Sequence, residues 1–209
     1  MHDISSYFAS SRGHKDQQPN IDLANQLVKN ATKSDIVQLL NFCICGTKTQ
    51  KSDAIKVIYE LAKLQEDLLI PHIYTLIKSL EKADNRMIWG ILQALSTLTD
   101  AAPEIIIKNL NEILAAADRS SVIAKDNMMA ILTKLSTQKR FADFLMPVIL
   151  QRLEHSAPNQ FPTYAQLVEK IIDEKNKNAF IDIIIQRQKS IALPAKQKRL
   201  NKILQKLGY

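Results

Sequence analysis

The run Leu95–Ser96–Thr97–Leu98 ends an amphipathic segment and decides the fold, because three similar runs end other segments of the chain. These runs are Leu61–Ala62–Lys63–Leu64, Leu132–Thr133–Lys134–Leu135 and Val168–Glu169–Lys170–Ile171, and successive runs are 34, 37 and 36 residues apart. A period of this length is typical of stacked helix pairs, in which each pair buries its apolar face against its neighbours. The repetition therefore predicts a helical repeat protein.

Apolar residues within each unit recur at helical spacing, as in Ile88, Ile91, Leu92 and Leu95. Only four of the 209 residues are glycine, and no alternating period-two pattern persists, which argues against a turn-rich β protein. Caps and breaks divide the chain into about ten helices. We expect one helix to start at Ser52 and another to be capped by Asp84 or Asn85.

The first eighteen residues are rich in Ser, Gln, His and Lys and show no sustained apolar period, so we predict a flexible N-terminal tail over residues 1–18. Residues 19–209 are predicted to form a single solenoid domain. No apolar run approaches the roughly 20 residues that span a bilayer, and Met1 to Asn20 lacks the apolar core of a secretory signal. The two cysteines, Cys43 and Cys45, are expected to be buried small hydrophobes, and the alternative is a metal or redox site. Two cysteines suit a reducing compartment, and the chain is predicted to be soluble and cytoplasmic.

Several short segments follow one helix–turn–helix pattern. Leu69–Ile70–Pro71 opens one helix, Asp84–Asn85–Arg86 forms the turn, and Ile91–Leu92–Gln93–Ala94–Leu95 follows on the next helix; Leu145–Met146–Pro147 matches two units later. These segments resemble HEAT repeats of the armadillo type. The resemblance implies an all-α fold, a right-handed α-solenoid of about five HEAT-like helix pairs. It also implies a scaffold that binds a partner protein along its concave face.

The second helix of each pair is expected to supply that face, and Trp89 lies on the flank of its helix beside Arg86 and Gln93. Trp and Arg are frequent among residues that dominate binding energies at interfaces. The alternative for Trp89 is packing over the adjacent repeat. Polar residues beside the apolar stripes complete the predicted partner-binding set: Lys56, Glu60, Lys63, Arg86, Trp89, Gln93, Lys125, Asp126, Lys134, Gln166, Glu169 and Lys170.

The net charge of +7 is concentrated in the last part of the chain, since residues 175–209 carry +8 and the preceding residues −1. One amphipathic helix from about Pro194 to Leu207 holds a possible anion-binding set of Lys196, Lys198, Arg199, Lys202 and Lys206. Such a helix could cap the stack, with one face packed and one solvated, or bind nucleic acid. A membrane or an acidic partner is a third alternative, although no bulky aromatic residue anchors the apolar face before Tyr209.

No phosphate-binding loop, nucleotide fingerprint, nucleophile elbow or zinc-ligand set occurs in the sequence, and the four histidines are isolated. We therefore predict no catalytic residues, no metal, no cofactor and no small-molecule substrate. Some HEAT-like proteins are DNA glycosylases that use a Trp with an Asp one turn later and an Arg in a following repeat. Here Gln93 follows Trp89 by one turn, and Arg119 alone does not supply the missing carboxylate. The sequence predicts a non-catalytic protein-interaction module; the alternative is a nucleic-acid-binding protein related to those glycosylases.

Overall fold

The structure is a computed structural model of the chain and describes residues 3–209; Met1 and His2, which belong to the predicted tail, lie outside the described residues. Over residues 3–209 it contains twelve α-helices and no strand, which confirms the all-α prediction. Short 3-10 turns cover Ile4–Tyr7, Glu66–Leu68, Ile70–His72 and Leu80–Lys82. The α-helices are α1 (Gln18–Asn30), α2 (Lys33–Cys45), α3 (Lys48–Leu64), α4 (Ile73–Ser79), α5 (Asn85–Leu98), α6 (Pro103–Lys108), α7 (Leu110–Asp118), α8 (Val122–Ser136), α9 (Lys139–Glu154), α10 (Phe161–Glu169), α11 (Lys177–Gln188) and α12 (Pro194–Lys206).

The chain divides into two compact units, Met1–Met128 and Met129–Tyr209, and the division falls within α8. In the first unit α3 packs on α1 and α5, and α4 contacts α2, α6 and α7. In the second unit α10 packs on α12, while α9 contacts α11. Contact between alternate helices of the chain is compatible with an α-solenoid. The single solenoid domain over residues 19–209 stays a prediction.

Capping residues set where the helices begin. The Asp84 carboxylate accepts a hydrogen bond of 2.9 Å from the Met87 N–H, so the predicted cap of α5 is confirmed. The predicted start of α3 at Ser52 is wrong, because the helix begins four residues earlier at Lys48. Thr47 and Gln50 form a reciprocal capping box there, which gives acceptors to two backbone donors at the start of the helix.

The N-terminal segment packs on the first unit. The Phe8 ring is fully buried and meets the Phe42 ring edge-on, with 5.3 Å between centroids. The Ala9 N–H donates to the Asn20 side chain at 3.0 Å, and that amide in turn donates to the buried Asp53 carboxylate at 2.8 Å. These contacts tie the segment to α1, α2 and α3, whereas its predicted flexibility stays a prediction.

The helices bury one apolar face each. On α3 this face includes Ile55, Ile58 and Leu61, and on α5 it includes Ile91 and Leu95, all fully buried. Within the part of the chain that the structure describes, no helix is both long enough and apolar enough to cross a membrane.

Candidate functional site

The predicted residues on α3 and α5 come together in the first unit, where the two helices lie against each other. Gly90 makes this close packing possible: a Cβ at this position would come within 2.5 Å of Cγ1 of the buried Ile55 side chain. A larger residue at position 90 would therefore push the helices apart.

The close packing brings two aromatic rings into contact. The Tyr59 and Trp89 rings lie 5.7 Å apart between centroids, with planes inclined by 39°. Tyr59 is 6% exposed, while Trp89 keeps part of its surface in solvent. Trp89 thus packs on the neighbouring helix and also remains accessible, which combines features of both interpretations made from the sequence.

Three cations surround the two rings. The Lys56 Nζ lies 4.7 Å from the Tyr59 centroid and the Lys63 Nζ lies 5.4 Å from it. The Arg86 guanidinium carbon lies 4.0 Å from the Trp89 centroid and 5.9 Å from that of Tyr59. Each of these distances is within the range in which a cation is attracted to a ring face. We refer to the residues of this site as the aromatic–cation cluster: Ser52, Lys56, Tyr59, Glu60, Lys63, Arg86 and Trp89.

Glu60 is the acidic residue of the cluster, and both lysines bind it. Lys56 Nζ donates to Glu60 Oε1 at 2.7 Å, and Lys63 Nζ lies 3.2 Å from Glu60 Oε2. Burial raises the pKa of Glu60, but its hydrogen bonds and charge interactions with the two lysines outweigh burial, so that the pKa lies below its ordinary value. Burial likewise lowers the pKa of Lys56, and the bonds to Glu60 and Tyr59 reverse this effect, so that the pKa lies above its ordinary value.

Arg86 is the third cation of the cluster. Among residues 3–209, no carboxylate forms an ion pair with it. Its Nε donates to the Ser52 hydroxyl at 3.2 Å, and its Nη2 lies 3.5 Å from the Ser52 carbonyl oxygen. Nη1 is buried and has no hydrogen-bond acceptor. A buried donor without an acceptor costs free energy, so the guanidinium has unused binding capacity.

The sequence analysis missed two members of the cluster. Ser52 was assigned only as a helix start, and Tyr59 was left out although it follows Lys56 by three residues and precedes Lys63 by four. That spacing places all three on one helix face and could have identified Tyr59. Gln93, which was predicted, lies one turn beyond Trp89 on α5 and is half-buried.

Helix α8 carries the next predicted residues. Lys125 is exposed, whereas Asp126 and Lys134 are half-buried. Lys125 and Asp126 belong to the first unit and Lys134 to the second.

In the second unit, side chains of α12 bind two of the residues that were predicted to contact a partner. Arg199 donates from Nε to the Gln166 side chain at 3.1 Å, and Lys206 pairs with Glu169 at 2.8 Å. Lys170 is exposed just after the end of α10. Gln166 and Glu169 therefore hold α12 on α10.

The basic residues predicted to bind an anion fall into two groups, those that bind neighbouring residues and those that are exposed. Lys196 donates to the Asn159 side chain at 2.8 Å, and Arg199 and Lys206 bind α10 as described. Lys198 and Lys202 are exposed. Leu200, Ile203 and Leu204 are buried on the opposite face of α12.

A second candidate site is a cleft of about 490 Å³ lined by residues of α2, α4 and α5, which no pattern in the sequence indicated. Cys43, Ile44 and Met87 supply part of its apolar wall, and Tyr74 and Lys82 also line it. Cys43 is buried, but Cys45 is exposed, so the prediction that both are buried is wrong for Cys45. The two side chains point to different sides of α2 because they are two residues apart.

Two further kinds of site were considered from the sequence, a metal site and a glycosylase-like site with Arg119. Among residues 3–209, no three His, Cys, Asp or Glu side chains lie close enough together to hold a metal ion. Arg119 donates to the Leu80 and Glu81 carbonyl oxygens in the 3-10 turn that follows α4.

Comparison of the chain with protein-family models, with curated proteins and with solved structures finds no match.

Proposed function

We propose that this chain is a non-catalytic protein-interaction module, a cytoplasmic right-handed α-solenoid of about five HEAT-like helix pairs. Its partner binds along the second helix of each pair, and the aromatic–cation cluster on α3 and α5 is the main contact. The proposal is supported above all by one observation: a partly exposed Trp stacked on an Arg whose buried Nη1 has no acceptor.

Trp89, Tyr59 and Arg86 have the composition of an interface hot spot. Trp, Tyr and Arg are the residues whose truncation most often weakens protein interfaces. A ring that is half-buried against its neighbour is already fixed in position, so a partner loses little side-chain entropy when it packs on Trp89. This rigidity supports recognition by a preformed surface.

The other predicted contacts lie on α8 and at α10. Lys125, Asp126, Lys134 and Lys170 remain candidate contacts. Gln166 and Glu169 are weaker candidates because Arg199 and Lys206 already bind them. We therefore place most of the binding energy on α3 and α5.

The nucleic-acid alternative has less support. Three of the five basic residues on α12 make hydrogen bonds or ion pairs to neighbouring residues of the second unit, which leaves Lys198 and Lys202 as solvated cations. Two phosphate contacts would give only weak, salt-sensitive binding.

Affinity capture from a lysate of the source cells, with and without nuclease, tests the proposal. The bait is the full chain, a variant with Arg86, Trp89 and Gln93 changed to Ala, or a matched control with Arg140, Phe144 and Gln151 of α9 changed to Ala. We expect a defined protein that survives nuclease, is lost with the first variant and is retained by the control. Retention by both variants would show that the surface is wrongly assigned, and loss with nuclease would favour the nucleic-acid alternative.

A further inference from the structure

The charges of the aromatic–cation cluster do not cancel, and this imbalance bears on the chemistry of the partner. The cluster holds three cations, Lys56, Lys63 and Arg86, and one carboxylate, that of Glu60, which both lysines bind. Asp84, two residues before Arg86, uses its carboxylate to cap α5. Arg86 therefore remains without an anionic partner in the described chain.

We propose that the aromatic–cation cluster binds an acidic peptide segment, in which one carboxylate pairs with Arg86 and an adjacent apolar side chain packs on Trp89. This inference rests on the proposed function, since it names the chemistry of the partner at the same surface. Guanidinium and carboxylate groups form paired N–H···O bonds of matching geometry, and such charge-assisted bonds are stronger than neutral ones.

The present contacts of Arg86 allow it to turn toward a ligand. Its bonds to Ser52 are 3.2 and 3.5 Å long, at or beyond the upper end of the usual range for N–H···O bonds. Nη1 has no bond to lose. A small rotation that keeps the guanidinium over the Trp89 ring therefore breaks only weak hydrogen bonds and gives an acceptor to a donor that now lacks one.

Trp89 provides the second half of the site. One face of its ring is covered by Arg86, and the Tyr59 ring fixes it from α3. Trp89 keeps part of its surface in solvent beside the Arg86 guanidinium, and an indole ring is largely apolar. An acidic residue beside an apolar residue in a peptide matches this arrangement.

An acidic peptide fits this surface better than a nucleic-acid strand. Glu60 lies within the cluster and its carboxylate would repel a phosphate backbone, while Lys56 is only 12% exposed and already bound to Glu60. A peptide can place a single carboxylate at Arg86 and keep it away from Glu60.

The experiment is selection of random twelve-residue peptides on the full chain, followed by titration of the selected peptides. Titration calorimetry measures binding to every variant, Trp89→Ala included, and the fluorescence of the one Trp of the chain reports binding at Trp89 in the wild type and the other variants. We expect the selected peptides to be enriched in Asp and Glu next to an apolar residue. Replacing the acidic residue of the peptide by its amide should weaken binding at least about tenfold, consistent with loss of a charged hydrogen bond.

Variants of the chain provide the second readout. Arg86→Gln should weaken binding by a similar factor, and the matched control Arg140→Gln should bind within about twofold of the wild type. Arg86→Glu should recover binding to a peptide in which Lys replaces the acidic residue. Circular dichroism checks that each variant is folded, and the peptide substitution needs no protein variant.

The outcomes separate this inference from the proposed function. Peptides that lose binding with Trp89→Ala but show no acidic enrichment and bind Arg86→Gln normally would overturn the inference and leave the proposed function in place. Selected peptides that bind Trp89→Ala as well as the wild type would overturn both. A twenty-residue oligothymidylate that displaces the peptides and itself depends on Arg86 would overturn the inference in favour of nucleic acid.

Discussion

Gly90 of α5 lies directly against Ile55 of α3, so that a Cβ at position 90 would be 2.5 Å from Ile55 Cγ1. Ile55 is fully buried and cannot move into solvent. The packing at this point holds the two helices that carry Tyr59 and Trp89, which links the core of the first unit to the candidate binding surface.

Gly90→Ala should destabilise the protein, although Ala is favoured over Gly in helices by about 1 kcal/mol. The added methyl overpacks the contact with Ile55, and overpacking typically costs about 1–3 kcal/mol. Urea unfolding gives the change in the free energy of unfolding. Trp89 emission should also shift, because the aromatic contact depends on the helix separation.

Ile55→Ala provides the control for this prediction. Alone, this substitution should lower the free energy of unfolding by about 2–5 kcal/mol, because it creates a cavity. In the double variant the methyl group added at position 90 occupies part of that cavity, so the two effects should be less than additive. Strict additivity would mean that the residues do not meet as described.

The Lys56–Glu60 pair should give a pH-dependent contribution to stability. The pKa of Glu60 lies below its ordinary value of 4.5, so its contribution is present above that pH and is lost as the pH falls through the lowered folded-state pKa. The pKa of Lys56 lies above its ordinary value of 10.5, so its contribution is lost only as the pH rises through the raised pKa. Glu60→Gln should cost about 0.5–1 kcal/mol at pH 7 and almost nothing near pH 2.

The Lys78–Glu112 pair is a matched control. Its side chains are 47% and 44% exposed, so solvent screens the interaction. The hydrogen bond from Lys78 also lowers the pKa of Glu112, but solvent screening keeps the effect small, so Glu112→Gln should lower the urea midpoint at pH 7 by much less than Glu60→Gln. If Glu60→Gln lowered the free energy of unfolding by the same amount at both pH values, Glu60 would act through packing and not through a charge pair.

The two cysteines should differ in reactivity. Burial raises the pKa of the Cys43 thiol to about 12, and the nearby charge of Lys51 only partly opposes this. Since the thiolate is the reactive form, Cys43 should be inert at pH 8, whereas the exposed Cys45 should react. Titration with an aromatic disulfide reagent should give one thiol per folded chain and two after unfolding.

Substitutions identify which thiol reacts. Cys45→Ser should remove the fast reaction, and Cys43→Ser should preserve it. Reaction of both thiols in the folded chain would show that the cleft beside Cys43 opens readily.

Helix α12 should stabilise the second unit. Leu200 is fully buried, and Arg199 and Lys206 bind α10, so deletion of residues 194–209 exposes an apolar face and removes these bonds. We expect a lower melting temperature and partial loss of helical signal. Leu200→Ala should reproduce part of the effect, at a cost of about 2–5 kcal/mol.

The paired substitution Lys198→Ala and Lys202→Ala tests the other face of α12. These side chains are exposed, so stability should not change. A large, salt-sensitive loss of oligonucleotide binding in this variant would instead favour the nucleic-acid alternative.

Local signals predicted the helices well, and contacts between distant residues were the hardest to predict. Asp84 could be assigned as a cap because its partner Met87 is three residues away. Tyr59 was missed because its importance depends on Trp89, thirty residues later, and on the close packing at Gly90. The packing of Phe8 likewise depends on Phe42 and leaves no periodic pattern in a short segment.

Phe8→Ala decides between a flexible tail and a packed N-terminal segment. If the segment is bound in solution as its contacts indicate, removal of this fully buried ring should cost about 3–5 kcal/mol. His14→Ala, at an exposed position of the same segment, should have little effect. Urea unfolding compares the two variants, and proteolysis should cleave the Phe8→Ala chain within the first sixteen residues. Equal stability of both variants would show that the segment is flexible, as the sequence predicted, because a segment that is mostly detached gains nothing from burying Phe8.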